Sequence, residues 1–160
     1  MVFIEVEEGV KLWQSKNGAF YKMAQHRHAR RVITLPFDQF MIVADTLPDP
    51  GNRLNFVHIV PRSGSTLMMQ IFETTGTCIT YAEPDELGKP FWRFKDNLSD
   101  AEQICIWRAV ARFMCKEDRD NRLGMRYVAK IPAAFLVDKV KLFFEAFPAS
   151  KHVFLYRDLQ

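Results

Sequence analysis

The chain has 160 residues, 48% of them hydrophobic and 26% charged, with a net charge of +3. This is an ordinary globular composition for one domain, and a chain of this length can bury roughly two-thirds of its unfolded surface. The mild positive charge fits an anionic ligand without demanding nucleic acid, and no apolar run approaches the ~18–20 residues of a membrane span. The acidic start, Met1-Val2-Phe3-Ile4-Glu5-Val6-Glu7-Glu8, lacks the basic segment and long apolar run of a signal peptide, so the chain as written reads as soluble. Cys78, Cys105 and Cys115 are odd in number and lack metal-ligand spacing. They read as buried free thiols, with one disulfide left open by the sequence.

Residues 1–52 form a lead-in region of weak periodicity. It holds the basic cluster His26-Arg27-His28-Ala29-Arg30-Arg31, read as a solvated surface, and closes with a strong turn signal, Leu47-Pro48-Asp49-Pro50-Gly51-Asn52. Residues 53–160 then alternate strand and helix. Strands are predicted at 54–60, 78–81, 126–131 and 151–156, and helices at 66–75, 99–117 and 132–147. The 99–117 helix is the clearest. Ser99 and Glu102 make a capping box, and Ile104, Trp107, Val110, Ala111 and Met114 share one face. Leu136, Val140, Phe143, Phe144 and Phe147 should point inward from the last helix, which Pro148 stops. Apolar strands alternating with helices predict an α/β fold with a central parallel sheet covered on both faces. Ligands of such sheets sit at the carboxyl ends of the strands.

Four sites fall at those ends. Val60-Pro61-Arg62-Ser63-Gly64-Ser65-Thr66-Leu67 runs from the first strand through a tight loop into a helix. The loop amides and the helix dipole point at one spot and favour an anion there. Gly64 permits close approach, while hydroxyls and the Arg62 guanidinium add donors. Glu83, before Pro84, follows the second strand, Lys130 ends the third, and Arg157 follows the fourth. Cations and amide donors of this kind stabilise charge on a transferring group, and a carboxylate can take the proton of an acceptor. Each position also has a plainer reading: a helix cap for the loop, a solvated turn residue for Glu83, a surface charge for Lys130, and a local ion pair for Arg157. His58 reads as a core residue rather than a catalyst. Arg108, Arg112 and Lys116 read as a solvated stripe, and Asn97-Leu98-Ser99 is a glycosylation sequon that matters only in the secretory pathway.

The loop lacks the Lys that follows the last Gly of a nucleotide-triphosphate loop, so a kinase-like reading is weak. Its Pro-Arg-Ser-Gly-Ser-Thr-Leu string resembles the 5′-phosphosulfate loop of the sulfotransferases, in the Arg form of the Golgi-type and bacterial branches. Glu83-Pro84, Lys130-Ile131-Pro132 and Phe147 through Asp158 follow in the family's order. The resemblance covers 55–160, and implies a three-layer P-loop-like fold and transfer of a sulfuryl group from 3′-phosphoadenosine-5′-phosphosulfate (PAPS) to an acceptor hydroxyl or amine, without a metal. Arg62, Ser63, Gly64, Ser65, Thr66 and Leu67 would hold the 5′-phosphosulfate. Glu83 would be the general base, Lys130 with Arg62 would stabilise the sulfuryl group, and Arg157 would grip the 3′-phosphate. The family pairs that Arg with a later Ser, and the chain stops at Gln160 before it. The expectation is therefore the first part of a sulfotransferase domain, or alternatively an inactive nucleotide-binding remnant. The Golgi lumen is the compartment the resemblance implies, the cytoplasm otherwise. A bare sheet edge is expected to aggregate or to recruit a second copy.

Overall fold

The computed structural model of the chain describes residues 1–88, 97–116 and 124–158. In chain order the main elements are β1 (Val2–Val6), α1 (Tyr21–His28), β2 (Ala29–Thr34), α2 (Phe37–Thr46), β3 (Leu54–Ile59), α3 (Ser65–Thr74), β4 (Cys78–Ala82), α4 (Asp100–Met114), β5 (Arg126–Pro132), α5 (Val140–Ala146) and β6 (His152–Leu155). Strands β3 to β6 form one parallel sheet in the order β4-β5-β3-β6. β1 and β2 pair antiparallel as a separate two-stranded sheet, Phe3 opposite Ile33.

The central strands are apolar throughout because both of their faces are covered. Along β3, Val57 and Ile59 pack with Met69 of α3 and Val128 of β5. The alternate residues Leu54 and Phe56 turn to the other face, where they meet α2, α4 and α5 through Phe40, Trp107 and Phe143. The result is three layers: α3, the parallel sheet, and the α2–α4–α5 group. Phe56, Phe143 and Phe147 meet with ring centroids 4.8–5.0 Å apart, a spacing at which tilted aromatic pairs add stability beyond burial.

The four predicted strands and the helix after β3 lie where the sequence puts them, to within a residue or two of their ends, and the helix after β4 starts as predicted but ends at Met114, short of the predicted 117. α4 opens on Ser99, whose hydroxyl accepts from the Glu102 amide while the Glu102 carboxylate accepts from the Ser99 amide. The predicted end of that helix, residue 117, lies outside the described residues. Ile104 and Met114 are only half-buried on it, and Gln103 and Ile106 are buried instead.

The predicted 132–147 helix is corrected. A short 3₁₀ turn, Ala133–Phe135, comes first, and α-helix begins only at Val140. β-branched Val137 and the backbone-competing Asp138 weaken helix in this stretch. Leu136 still reaches the core, but Phe144 lies at the surface. The basic stripe on α4 is not simply solvated. Arg108 donates from Nε to the Ala146 carbonyl and from Nη2 to the Glu145 carbonyl, both at 3.0 Å. Arg112 Nη1 reaches Asp45 Oδ1 at 2.8 Å. These two cations serve the carbonyl ends of α5 and α2, where the helix dipole favours positive charge. Of the three free thiols, Cys115 is buried, Cys78 is half-buried, and Cys105 is exposed, contrary to expectation. No described helix is long and apolar enough to cross a membrane.

Candidate functional site

The carboxyl ends of β3, β4, β5 and β6 lie along one rim of the sheet, and each carries one of the singled-out residues. The loop after β3 is tied to β6 by the Val60 amide, which donates to the Leu155 carbonyl at 3.3 Å. The chain then turns through Arg62 at φ 66° and Gly64 at φ 84° into α3. A Cβ added to Gly64 would meet nothing within 4 Å, so its backbone faces open space. Gly64 provides no side chain to cap the helix. The first helical bond is the Met68 amide to the Gly64 carbonyl. The amides of Ser65, Thr66 and Leu67 therefore have no acceptor within the helix, as in any uncapped first turn.

Hydroxyl groups surround those amides. Ser65 is buried, Thr66 is exposed, and Ser63 Oγ is shielded from solvent with no hydrogen-bond partner among the described residues. The side chains of Arg62 and Leu67 are exposed. No described residue forms an ion pair with Arg62, so its charge is not already neutralised. A shielded hydroxyl without a partner, three uncapped amides and an uncommitted guanidinium fit a bound oxyanion. Arg157 follows β6 in an exposed segment, also without a described ion-pair partner. That leaves it available for a second anionic group.

The structure brings Glu83 and Lys130 together. Lys130 Nζ lies 3.0 Å from Glu83 Oε1, and the Glu83 amide donates to the Lys130 carbonyl at 3.0 Å. Lys130 is 1% exposed on its side chain and Glu83 30%. Among the described residues Glu83 is thus the only charged partner of a fully buried ammonium, and it keeps an outward-facing share for a solvent-side group. Its backbone is left-handed, φ 55°. Arg62 and Glu83 are the only two non-glycine residues in that region among those described. Such conformations cost of order 1–3 kcal/mol and persist where surrounding structure over-determines them. Neither Arg62 nor Arg157 makes a described contact with the Glu83–Lys130 pair.

One contributor has no signal in the sequence. The Phe20 ring lies over Lys130, with Nζ 5.2 Å from its centroid, a cation–π distance. Phe20 is held there by the segment leading into α1. Thr80 Oγ1 donates to the Trp13 carbonyl at 3.3 Å, the Ser15 amide donates to Glu73 Oε2 at 3.0 Å, and Tyr21 packs edge-on against Tyr81 at 5.2 Å. The early part of the chain therefore covers the β4 side of the rim. Nothing in its polar, weakly periodic sequence marks Phe20 as part of a site; only pairing across the fold does.

Comparison with protein-family models, with curated proteins and with solved structures finds no match to this chain.

Proposed function

We propose that this chain is a sulfotransferase domain of P-loop-like fold that uses PAPS. The observation that carries the reading is the loop of residues 60–67, with its uncapped amides, its partnerless Ser63 hydroxyl and its unpaired Arg62, on the same rim as a carboxylate–lysine pair. The sequence resemblance supplies the identity of the donor, and the donor supplies an activated sulfuryl group.

The residues present suit the parts they would play. Arg62 and the amides of Ser65, Thr66 and Leu67 would bind the 5′-phosphosulfate, with the hydroxyls of Ser63 and Thr66 as further donors. Arg157 would bind the 3′-phosphate as a planar, fixed-charge fork. Lys130 holds a positive charge away from water, where its effect on a nearby developing negative charge is strongest. Glu83 would accept the proton of the acceptor hydroxyl or amine. Its second oxygen is the one available for that task, since Oε1 faces Lys130.

A second reading, a nucleotide-binding domain without transfer, has one observation in its favour. Glu83 and Lys130 neutralise each other, and Phe20 covers the lysine. The two readings separate in a transfer assay that follows release of 3′-phosphoadenosine-5′-phosphate from PAPS in the presence of small phenols and amines. Transfer predicts acceptor-dependent release that Glu83→Gln reduces by about 10²–10⁴-fold, the usual loss for a general base. Nucleotide binding with no release above the acceptor-free rate would establish the second reading and overturn the first.

A further inference from the structure

A cavity of about 560 Å³ lies between the β1–β2 sheet, α1 and α4. That volume falls inside the ~300–1,000 Å³ range of small-molecule sites. Its floor is apolar. Phe40 and Val110 are buried there, and Phe3, Phe113 and Met114 are half-buried beside them. Phe3, Phe40 and Phe113 also pack on one another, with ring centroids 4.9–6.2 Å apart, so the wall is braced by its own contacts. Lining residues that are also exposed mark where the cavity opens to solvent, and Val32, His26 and Lys116 are among them. The Met1 ammonium lines the cavity too and donates to the Leu35 carbonyl. The accessible charge of the described lining is therefore positive. One carboxylate stands in the wall, Glu86, but it is turned inward: Oε2 is shielded from solvent, and Oε1 accepts from Gln25 Nε2 at 2.6 Å. Its charge disfavours an anion on its own side of the wall.

We infer that this cavity binds an amphipathic carboxylate, its apolar chain lying on the Phe3–Phe40–Phe113 wall and its head at the opening beside Lys116. Burial of the chain supplies the affinity, and the ammonium at the opening sets the choice of head. Lys116 is exposed, so water and salt screen it and its share is modest. The reverse orientation would take a carboxylate among buried rings, where its lost hydration goes unreplaced. A cationic head would meet charge of its own sign at the opening. Neither Glu83, Lys130 nor any residue of the 60–67 loop lines this cavity. The inference therefore stands apart from the nucleotide reading, and its test uses no nucleotide.

The test is calorimetric titration, at neutral pH and low salt, of octanoate, octan-1-ol and octylamine, three probes of one chain length with different heads. Octanoate should bind saturably, about threefold tighter than the alcohol and about tenfold tighter than the amine, the latter a difference of about 1.4 kcal/mol. Lys116→Gln, at an exposed position, should weaken octanoate about threefold while leaving the alcohol within about twofold. Val32→Trp, at an exposed wall position outside the core, should weaken octanoate and the alcohol together by filling the space. Octylamine binding as tightly as octanoate, an octanoate affinity unmoved by Lys116→Gln, affinities unmoved by Val32→Trp in a folded variant, or no binding of any probe by the folded chain would each overturn the inference.

Discussion

At the scale of single residues, the Glu83–Lys130 pair sets two substitutions apart. A buried ion pair is weak evidence of stability, but removing one partner strands the other. Lys130 is 1% exposed and Glu83 30%, so the two losses should differ. Glu83→Gln leaves an ammonium in the interior and should lower unfolding free energy by about 2–3 kcal/mol. Lys130→Met leaves a carboxylate that water can reach, and an unbranched apolar chain takes the lysine's place beside Phe20, so its cost should stay near 1 kcal/mol or below. Urea denaturation of the two variants checks the order. A larger loss for Lys130→Met would mean that the lysine's contact with Phe20, rather than its charge, holds this corner together. The four rim positions could be found in the sequence because strand ends in a parallel sheet converge by topology. The pairing of Glu83 with Lys130 and the cover of Phe20 could not. Each depends on a side chain from a distant segment, and no local spacing encodes that.

At the scale of elements, β3 and β6 are joined by more than their ladder. His58 Nε2 and His152 Nδ1 lie 2.9 Å apart on adjacent strands. Around them stand Phe56, Phe143, Phe144 and Phe154. Burial, then the neighbouring His152, lowers the His58 pKa to about 4, and burial lowers that of His152 as well. In the unfolded chain both rings take up protons near pH ~6.5. Between about pH 6.5 and the folded value the unfolded state binds more protons, so stability rises with pH across that window and falls as pH drops through it. We expect urea midpoints that decline as pH is lowered from about 7 toward 4, and a flatter profile over the same window for the His58→Leu/His152→Leu double variant. Parallel profiles for the two proteins would show that the histidines do not carry this dependence. The expectation that His58 is a core residue was sound, but its partner was not legible, because it sits on a strand near the far end of the described chain. Elements with strong local signals were readable: the apolar strands, and α4 with its capping box. The early elements β1, α1, β2 and α2 were not, since α2 owes its form to packing on the main core through Phe40 and Ala44, and β2, exposed throughout, owes its form to pairing with β1. Residues 132–139 read as helix because apolar spacing continued through them, while Val137 and Asp138 opposed helix locally.

At the scale of the whole molecule, the parallel sheet presents β6 as an edge of the described strands. Phe154 is 56% exposed there, and Val153 and Tyr156 are exposed beside it. On the α3 face Leu67 and Ile71 add two more exposed apolar side chains. Unpaired amides flanked by apolar side chains are a template for pairing with another strand. We expect this chain to self-associate as its concentration rises, and Phe154→Lys to shift it toward monomer in sedimentation velocity, since an edge lysine opposes strand addition. A monodisperse monomer at every concentration would contradict this.

The loop of residues 60–67 connects these scales, for its purpose rests on whether it holds an anionic nucleotide. Calorimetric titration of 3′-phosphoadenosine-5′-phosphate into the wild-type chain and into Arg62→Ala asks this directly. Binding by the wild type that the substitution weakens about tenfold or more, about 1.4 kcal/mol, is the expected result. No binding by a folded wild-type chain, or binding that Arg62→Ala leaves unchanged, would contradict it.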